Sequence, residues 1–457
     1  MSRFGRILTV VVGHSLAAAK GTRFGLVSRE ERRRMLAVEV RRALEDLGPA
    51  FIKIGQLMSV RPDVFPPELA VELGALRDSV APVDPTLVRG VIQHDLGFPA
   101  EVLFSSFDPV PIASASIAQV HRARLREAYR PVCGATLPAG TALAVKVVRP
   151  GIEEEGAADL EAAARLARGL HHRGLLRRWN LPAYALELRD SFRRESDLRN
   201  EARVAVRFAF DFRDDPLVRV PRVVWPLSSR RVLTTEYVEG WPLSRVEEAR
   251  RAGVDARGLA AHGARVFMRQ VLEHGRFHAD LHPANLLLTP DGRIAYLDFG
   301  MVGRLSAAER VGVAQVLAAL VFRDAERALR YSSLLGLEVP PDVRARLVGE
   351  VGGLMQRTLR EGRGDGRVGR TDVKGFGVGL LGILGRHHVP IPEGYGLLVK
   401  SLVTVEGVAR ALYPEIDIIE TARPFVTRLL ARRVLDPSTL ASRWATALRA
   451  AAVEVSG

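Results

Sequence analysis

The residues best able to do chemistry are concentrated in His278-Ala279-Asp280-Leu281-His282-Pro283-Ala284-Asn285, followed thirteen residues beyond Asn285 by Asp298-Phe299-Gly300. An Asp and an Asn five residues apart, then a second Asp ahead of Phe-Gly, is how phosphoryl-transfer enzymes supply a proton acceptor and two oxygen ligands for Mg²⁺. On that pattern Asp280 takes the proton of the attacking hydroxyl, while Asn285 and Asp298 hold the metal. Two strand-like runs, Leu286 to Thr289 and Ile294 to Leu297, predict a hairpin that sets the metal ligands side by side. His278 and His282 have a spacing that could clamp zinc on one helix, but Pro283 and the absence of a Glu between them argue against it.

A phosphate-binding lysine belongs upstream on a strand, and Leu143-Ala144-Val145-Lys146-Val147 supplies one in Lys146. An ammonium withdrawn from water needs a counter-charge. Glu195, Asp197 and Glu201 lie in a segment that reads as one long helix from about Ala183 to Phe210. At 100° per residue Asp197 and Glu201 share a face and Glu195 points elsewhere, which predicts two cationic clients. Ahead of the lysine strand, Ile112-Ala113-Ser114-Ala115-Ser116-Ile117-Ala118-Gln119-Val120 stands where a glycine-rich phosphate loop would be. Alanine and serine resist positive φ and keep a Cβ near the phosphates, so this loop should cradle ATP differently.

The elements that must position these residues follow from periodicity and punctuation. Helical patterns run from Ser28 to Leu47, Phe51 to Val60 and Pro67 to Asp78, so the first hundred residues are mainly helical. Strand-like runs at Ile117 to Leu125 and Ala142 to Val148 are joined by a turn-rich stretch, which predicts an antiparallel pair with a long connection. Further strands are expected at Arg219 to Val224 and Val232 to Tyr237, with a helix between from about Ile152 to Arg168. Gly240 reads as a hinge-like break. Beyond it the chain is largely helical, with Val311 to Phe322 as a buried core helix. The expected units are residues 1–100, a helical extension; 101–240, a small mixed lobe; 241–437, a large helical lobe; and 438–457, a basic amphipathic tail.

The chain has 457 residues, enough for more than one core. Its net charge of +14 and pI near 10.6 predict attraction to anionic surfaces. Nucleic acid is disfavoured, because the basic residues are dispersed and only 6% of residues are aromatic, leaving no stacking platform. A single cysteine, Cys133, excludes an intramolecular disulfide and a cysteine-rich zinc site. No run of about 18 apolar residues suggests a spanning helix. The segment from Met1 to Leu16 reads as an amphipathic surface or docking helix rather than a secretory signal.

These motifs resemble the UbiB (aarF-domain, ABC1-type) family of atypical kinases across nearly the whole chain. The match includes Lys53-Ile54-Gly55-Gln56 (the Lys-x-Gly-Gln signature), the alanine-rich loop, Lys146, Glu195-x-Asp197, His278 to Asn285 and Asp298. It extends to Glu406-Gly407-Val408-Ala409-Arg410-Ala411-Leu412-Tyr413-Pro414, a tract with no evident chemistry. The resemblance implies an α+β, protein-kinase-like bilobal fold, with a small mixed N-lobe, a large helical C-lobe and an N-terminal helical extension. It also implies that Lys53 and Gln56 enter the cleft where a protein substrate would sit, with Lys53 as the second client of the acidic segment. ATP and Mg²⁺ are the implied cofactors. The implied work is an ATPase or kinase supporting ubiquinone biosynthesis, with prenylated quinone precursors and quinone-biosynthesis enzymes as partners. Ala279 replaces the arginine that answers activation-loop phosphorylation in protein kinases, and no Ala-Pro-Glu follows Asp298-Phe299-Gly300, so control by an activation loop is not expected.

Two arginine-rich amphipathic segments, Ala422 to Leu435 and Leu440 to Val453, fit either surface helices of the lobe or peripheral attachment to anionic lipid on the cytoplasmic face of the cell membrane. Alternative activities are a small-molecule phosphotransferase of the aminoglycoside or choline kinase type, phosphorylation of proteins, and a non-catalytic nucleotide-binding scaffold.

Overall fold

A computed structural model describes residues 3–21, 28–59, 67–76, 80–132, 134–172, 189, 192–194, 196–359, 371–387 and 389–434. The chain divides into two compact units, residues 1–254 with 282–302, and residues 255–281 with 303–457. The fold is α+β and kinase-like.

In the first unit, the helix Arg29–Leu47 starts at a capping box in which Ser28 and Glu31 satisfy each other's backbone N–H groups. His14, on the helix Arg3–Gly21, bridges to this helix through Glu39 (2.7 Å) and Asp46 (3.0 Å). Arg41 ties it to the helix Pro67–Leu73 through Glu72 at 2.7 Å. The four-stranded sheet runs Phe104–Ser114, Ala118–Leu125, Ala142–Val148, Val232–Glu236, each strand antiparallel to the next. Strand pleating decides what faces where. Leu143, Val145 and Val147 are fully buried against Val88, Ile92, Phe104 and Leu137, which sends Ala144 and Lys146 to the opposite face.

The predicted strands at Ala142 to Val148 and Val232 to Tyr237 hold nearly to the residue. Phe104–Ser114 was not anticipated, since its burial pattern does not alternate and it carries Pro109 and Pro111 at the sheet edge. The expected strand from Arg219 to Val224 shrinks to Val218–Arg219, which pairs in parallel with Ile294–Tyr296. The latter forms the predicted hairpin with Leu286–Leu288, and Gly292 turns the chain at φ 76°. Gly240 is a close-approach position rather than an open break: a Cβ there would lie 2.7 Å from the Leu288 carbonyl oxygen.

The second unit is helical, with Ala256–Met268, Ala307–Val321, Pro341–Thr358, Val373–Arg386, Glu393–Leu412 and Ile418–Val434 as its main members. The helix Ile418–Val434 packs against Ala307–Val321 and buries Ala422, Phe425 and Val426. Those three apolar side chains are spent inside the unit, which favours the reading of this part of the segment as a helix of the lobe; Leu435 lies outside the described residues. The segment Leu440 to Val453 lies outside the described residues.

Candidate functional site

Lys146 projects from the sheet face opposite the core and donates to both oxygens of Glu201, at 2.9 and 2.8 Å, and to Oδ2 of Asp298 at 2.9 Å. Burial alone would lower the Lys146 pKa, but Asp298 and Glu201 beside it hold it far above the ordinary lysine range. Glu201 carries the opposite imbalance: burial, reinforced by the Asp298 charge, pushes its carboxyl up to about 7 although Lys146 pulls it down. One ammonium thus serves two carboxylates brought from separate parts of the chain.

The helix Leu198–Asp211 delivers Glu201 and does more. Seven residues on, Phe208 presents its ring to Phe299, centroids 5.2 Å apart, and to Tyr296 at 5.1 Å. Phe299 is 2% exposed. The helix that supplies the counter-charge for Lys146 therefore also buries the aromatic residue next to Asp298. Gly300 N–H donates to Oδ1 of Asp298 at 2.8 Å, leaving the carboxylate oriented and 39% exposed. Asn285 sits at the same end of the hairpin, its carbonyl accepting from Leu297 N–H at 3.0 Å.

An oxygen pair of carboxylate and carboxamide suits Mg²⁺, which binds through one or two protein ligands and completes its shell with water and phosphate. Among the described residues no cluster of three or more His, Cys, Asp or Glu could hold a metal unaided. In the second unit, Asp280 N–H donates to His278 Nδ1 at 3.1 Å, which makes that nitrogen the lone-pair nitrogen. His278 is 2% exposed and His278 N–H donates to Gln270.

Other predicted residues are placed differently. The long helix from Ala183 does not extend through Asp197, which instead caps Leu198–Asp211 with extended backbone, accepts from Arg199 N–H and pairs with the Arg199 guanidinium at 2.7 Å. Its cation is local rather than a lysine from another element, so Asp197 and Glu201 do not form one helical face. Glu195 lies outside the described residues. Gln56 donates to the Leu76 carbonyl at 3.4 Å, and a Cβ on Gly55 would meet Leu76 at 2.4 Å, so half of the Lys-x-Gly-Gln signature seats one helix on its neighbour. Lys53 is half-buried on Pro49–Ser59.

The alanine-rich segment is the end of one strand (Ile112 to Ser114), a tight turn closed by Ala115 N–H donating to Ala118, and the start of the next. Gln119 is 1% exposed; it accepts from Val83 N–H and bonds His121, so its side chain braces the sheet instead of facing a ligand. Ser116 is buried as well. Arg149, unnoticed in the sequence, ties the turn down through the Ala115 carbonyl (2.7 Å), the Ser114 hydroxyl (2.7 Å) and the Ala81 carbonyl (2.9 Å). It follows the lysine strand directly, a position with no motif to mark it.

A strand lysine between a helix glutamate and the Asp of Asp-Phe-Gly defines a protein of the kinase-like class. Residues 75–332 match the ABC1 atypical kinase-like domain and residues 378–417 the UbiB helical domain. The chain belongs to the ABC1 family of atypical kinase-like proteins, the UbiB family. The probable protein kinase UbiB of Marinobacter nauticus is 34% identical over 412 residues, 88% of this chain and 71% of that protein. The uncharacterized protein sll0005 of Synechocystis is 32% identical over 398 residues, 87% of this chain, which spans only 56% of its length. A solved complex of Rv3197 with erythromycin, from Mycobacterium tuberculosis, has a TM-score of 0.50 at 22% identity, covering 81% of this chain and 90% of that one; this likeness concerns the fold.

Proposed function

We propose that this chain binds ATP with Mg²⁺ and transfers or hydrolyses the terminal phosphate, in support of isoprenoid-quinone biosynthesis at a membrane surface. The observation that carries the proposal is the Lys146 ammonium, held within 2.9 Å of carboxylates from elements 55 and 152 residues away. Such an arrangement keeps a lysine charged and aimed while half-buried, the state needed to meet phosphate oxygens. Lys146 is assigned to the α and β phosphates, Asp298 and Asn285 to Mg²⁺, and Asp280 to the acceptor's proton. Backbone and small side chains of Ile112 to Ala118 and Val120 are assigned to the phosphates, without the side chains of Ser116 and Gln119. Mg²⁺, when bound, would neutralise charge developing on the phosphates.

The buried Ala279, where an arginine would answer a phosphorylated loop, supports an enzyme without that control. The quinone connection rests on the family resemblance, and attachment to anionic lipid rests on the net charge of +14. Among the described residues, no helix is long and apolar enough to cross a membrane.

The test is Mg-ATP turnover with and without anionic liposomes and prenylated phenols. Asp298→Asn should lower it by about a hundredfold or more in folded protein, as expected for removal of a metal ligand. Equal turnover by the variant would remove the assignment, and transfer to a soluble alcohol or amine would replace it with a small-molecule phosphotransferase.

A further inference from the structure

The catalytic-loop motif from His278 to Asn285 contains no lysine or arginine. Asp280 nonetheless meets a cation within its own unit: Nζ of Lys400 lies 3.4 Å from Oδ1 of Asp280, across 120 residues of sequence. At that separation the contact is an ion pair rather than a short hydrogen bond, and an ordinary surface pair would be worth little. What distinguishes this one is how the lysine is carried.

Lys400 stands on the helix Glu393–Leu412, whose seat is fixed by groups buried against its neighbours. The Glu406 side chain, 4% exposed, accepts from the N–H groups of Val373 (3.2 Å) and Lys374 (2.7 Å) and pairs with Arg410 at 2.8 Å. Arg410 also donates to the Thr371 carbonyl. Ser401, next to Lys400, is fully buried. The tract Glu406 to Pro414, without visible chemistry in the sequence, thus supplies the clamp that holds the helix bearing the ammonium. His278 fixes the main chain of Asp280 from one side.

We infer that Lys400 is a positioning residue for the Asp280 carboxylate, supplying from a clamped helix the positive charge that the motif lacks. The inference rests on the phosphoryl-transfer reading above. In hydrolysis the water oxygen bonds to the γ phosphorus, the bond to the β,γ-bridging oxygen breaks, ADP leaves with that electron pair, and the water proton passes to Asp280. A carboxylate held by an ammonium is presented to that proton in one orientation, the kind of preorganisation that acts on the chemical step rather than on binding.

Full-length wild type, Lys400→Met, Lys400→Arg and Asp280→Asn are compared by steady-state Mg-ATP turnover, by the thermal shift given by ADP, and by melting temperature. Lys400→Met should lower kcat about tenfold or more, with KM and the ADP shift within about twofold of wild type. Lys400→Arg should recover most of the loss. The inference is overturned if Lys400→Met keeps kcat within about twofold while Asp280→Asn is inactive, or if methionine and arginine lose activity equally and only in proportion to lost folded protein. Turnover by Asp280→Asn equal to wild type would instead overturn the phosphoryl-transfer reading itself, and Lys400's role with it.

Discussion

Replacing Lys146 with methionine keeps the aliphatic stem and removes the charge, leaving Glu201 and Asp298 facing the space where an ammonium lay 2.8 and 2.9 Å away. Removing one partner of a buried ion pair costs about 3–5 kcal/mol, because the remaining charge loses its compensation. The two survivors are not equivalent. Asp298 is 39% exposed and can recover hydration, whereas Glu201, at 8%, cannot. Most of the cost should therefore reside in Glu201. Adding Glu201→Leu to Lys146→Met removes that stranded carboxylate and should return about 2–3 kcal/mol, since apolar groups of similar volume replace buried ions at little or no loss. The measurement is amide hydrogen exchange of the strands Ala142–Val148 and Val232–Glu236 at about pH 8, compared for wild type, Lys146→Met and the double variant. Lys146→Met should accelerate exchange by about a hundredfold or more, and the double variant should recover about thirtyfold or more of this, at 1.4 kcal/mol per tenfold. Exchange in the double variant as fast as in Lys146→Met would refute the claim that Glu201's burial sets the energetics of the trio.

Two further outcomes follow from groups outside the trio. Hydrogen bonds donated by His14 to Glu39 and Asp46 hold it above its ordinary pKa of 6.5, so the stability it gives the helix Arg3–Gly21 is complete below that value and lost as pH rises through the elevated one. Proteolysis of that helix should accelerate with pH above about 6.5, and His14→Ala should flatten the dependence; an unchanged profile would remove the role. Glu406→Leu leaves Arg410 and the first N–H groups of Val373–Arg386 without their buried acceptor, a loss of about 2–3 kcal/mol. The melting temperature should fall by about 4–10 °C, and a fall under about 2 °C would show that water replaces the carboxylate.

How far the structure was legible from sequence depended on what kind of constraint each residue carries. Lys146, Asn285 and Asp298 were legible because their chemistry requires short, fixed spacings, and because a fully alternating strand and a glycine-turned hairpin leave a local pattern. The strand Phe104–Ser114 left none: an edge strand buried only at Phe104 and otherwise largely exposed has no alternation to detect, and two prolines read as loop. The overlong helix failed at Asp197, where a side chain that accepts from Arg199 N–H competes with helical continuation. Gln119 was misplaced because a glutamine in a candidate phosphate loop and one bracing a sheet have the same sequence signature. Only burial separates them.

The same division explains why Glu201 was recognised and Lys400 was not, although each sets a charge beside a group of the proposed chemistry. Glu201 is one of three acidic residues in a short segment near a family signature, so searching for a counter-charge to Lys146 leads to it. Lys400 lies 120 residues from Asp280 on a helix whose local sequence signals only packing. Both depend on helices seated elsewhere, through Phe208 against Phe299 in one case and Glu406 against Val373 and Lys374 in the other. Reacting groups are confined by covalent spacing, but the groups that aim them are confined only by how the chain packs. A substitution at Phe208 should therefore weaken the Lys146–Glu201–Asp298 trio, and one at Glu406 the Lys400–Asp280 pair, without touching a member of either.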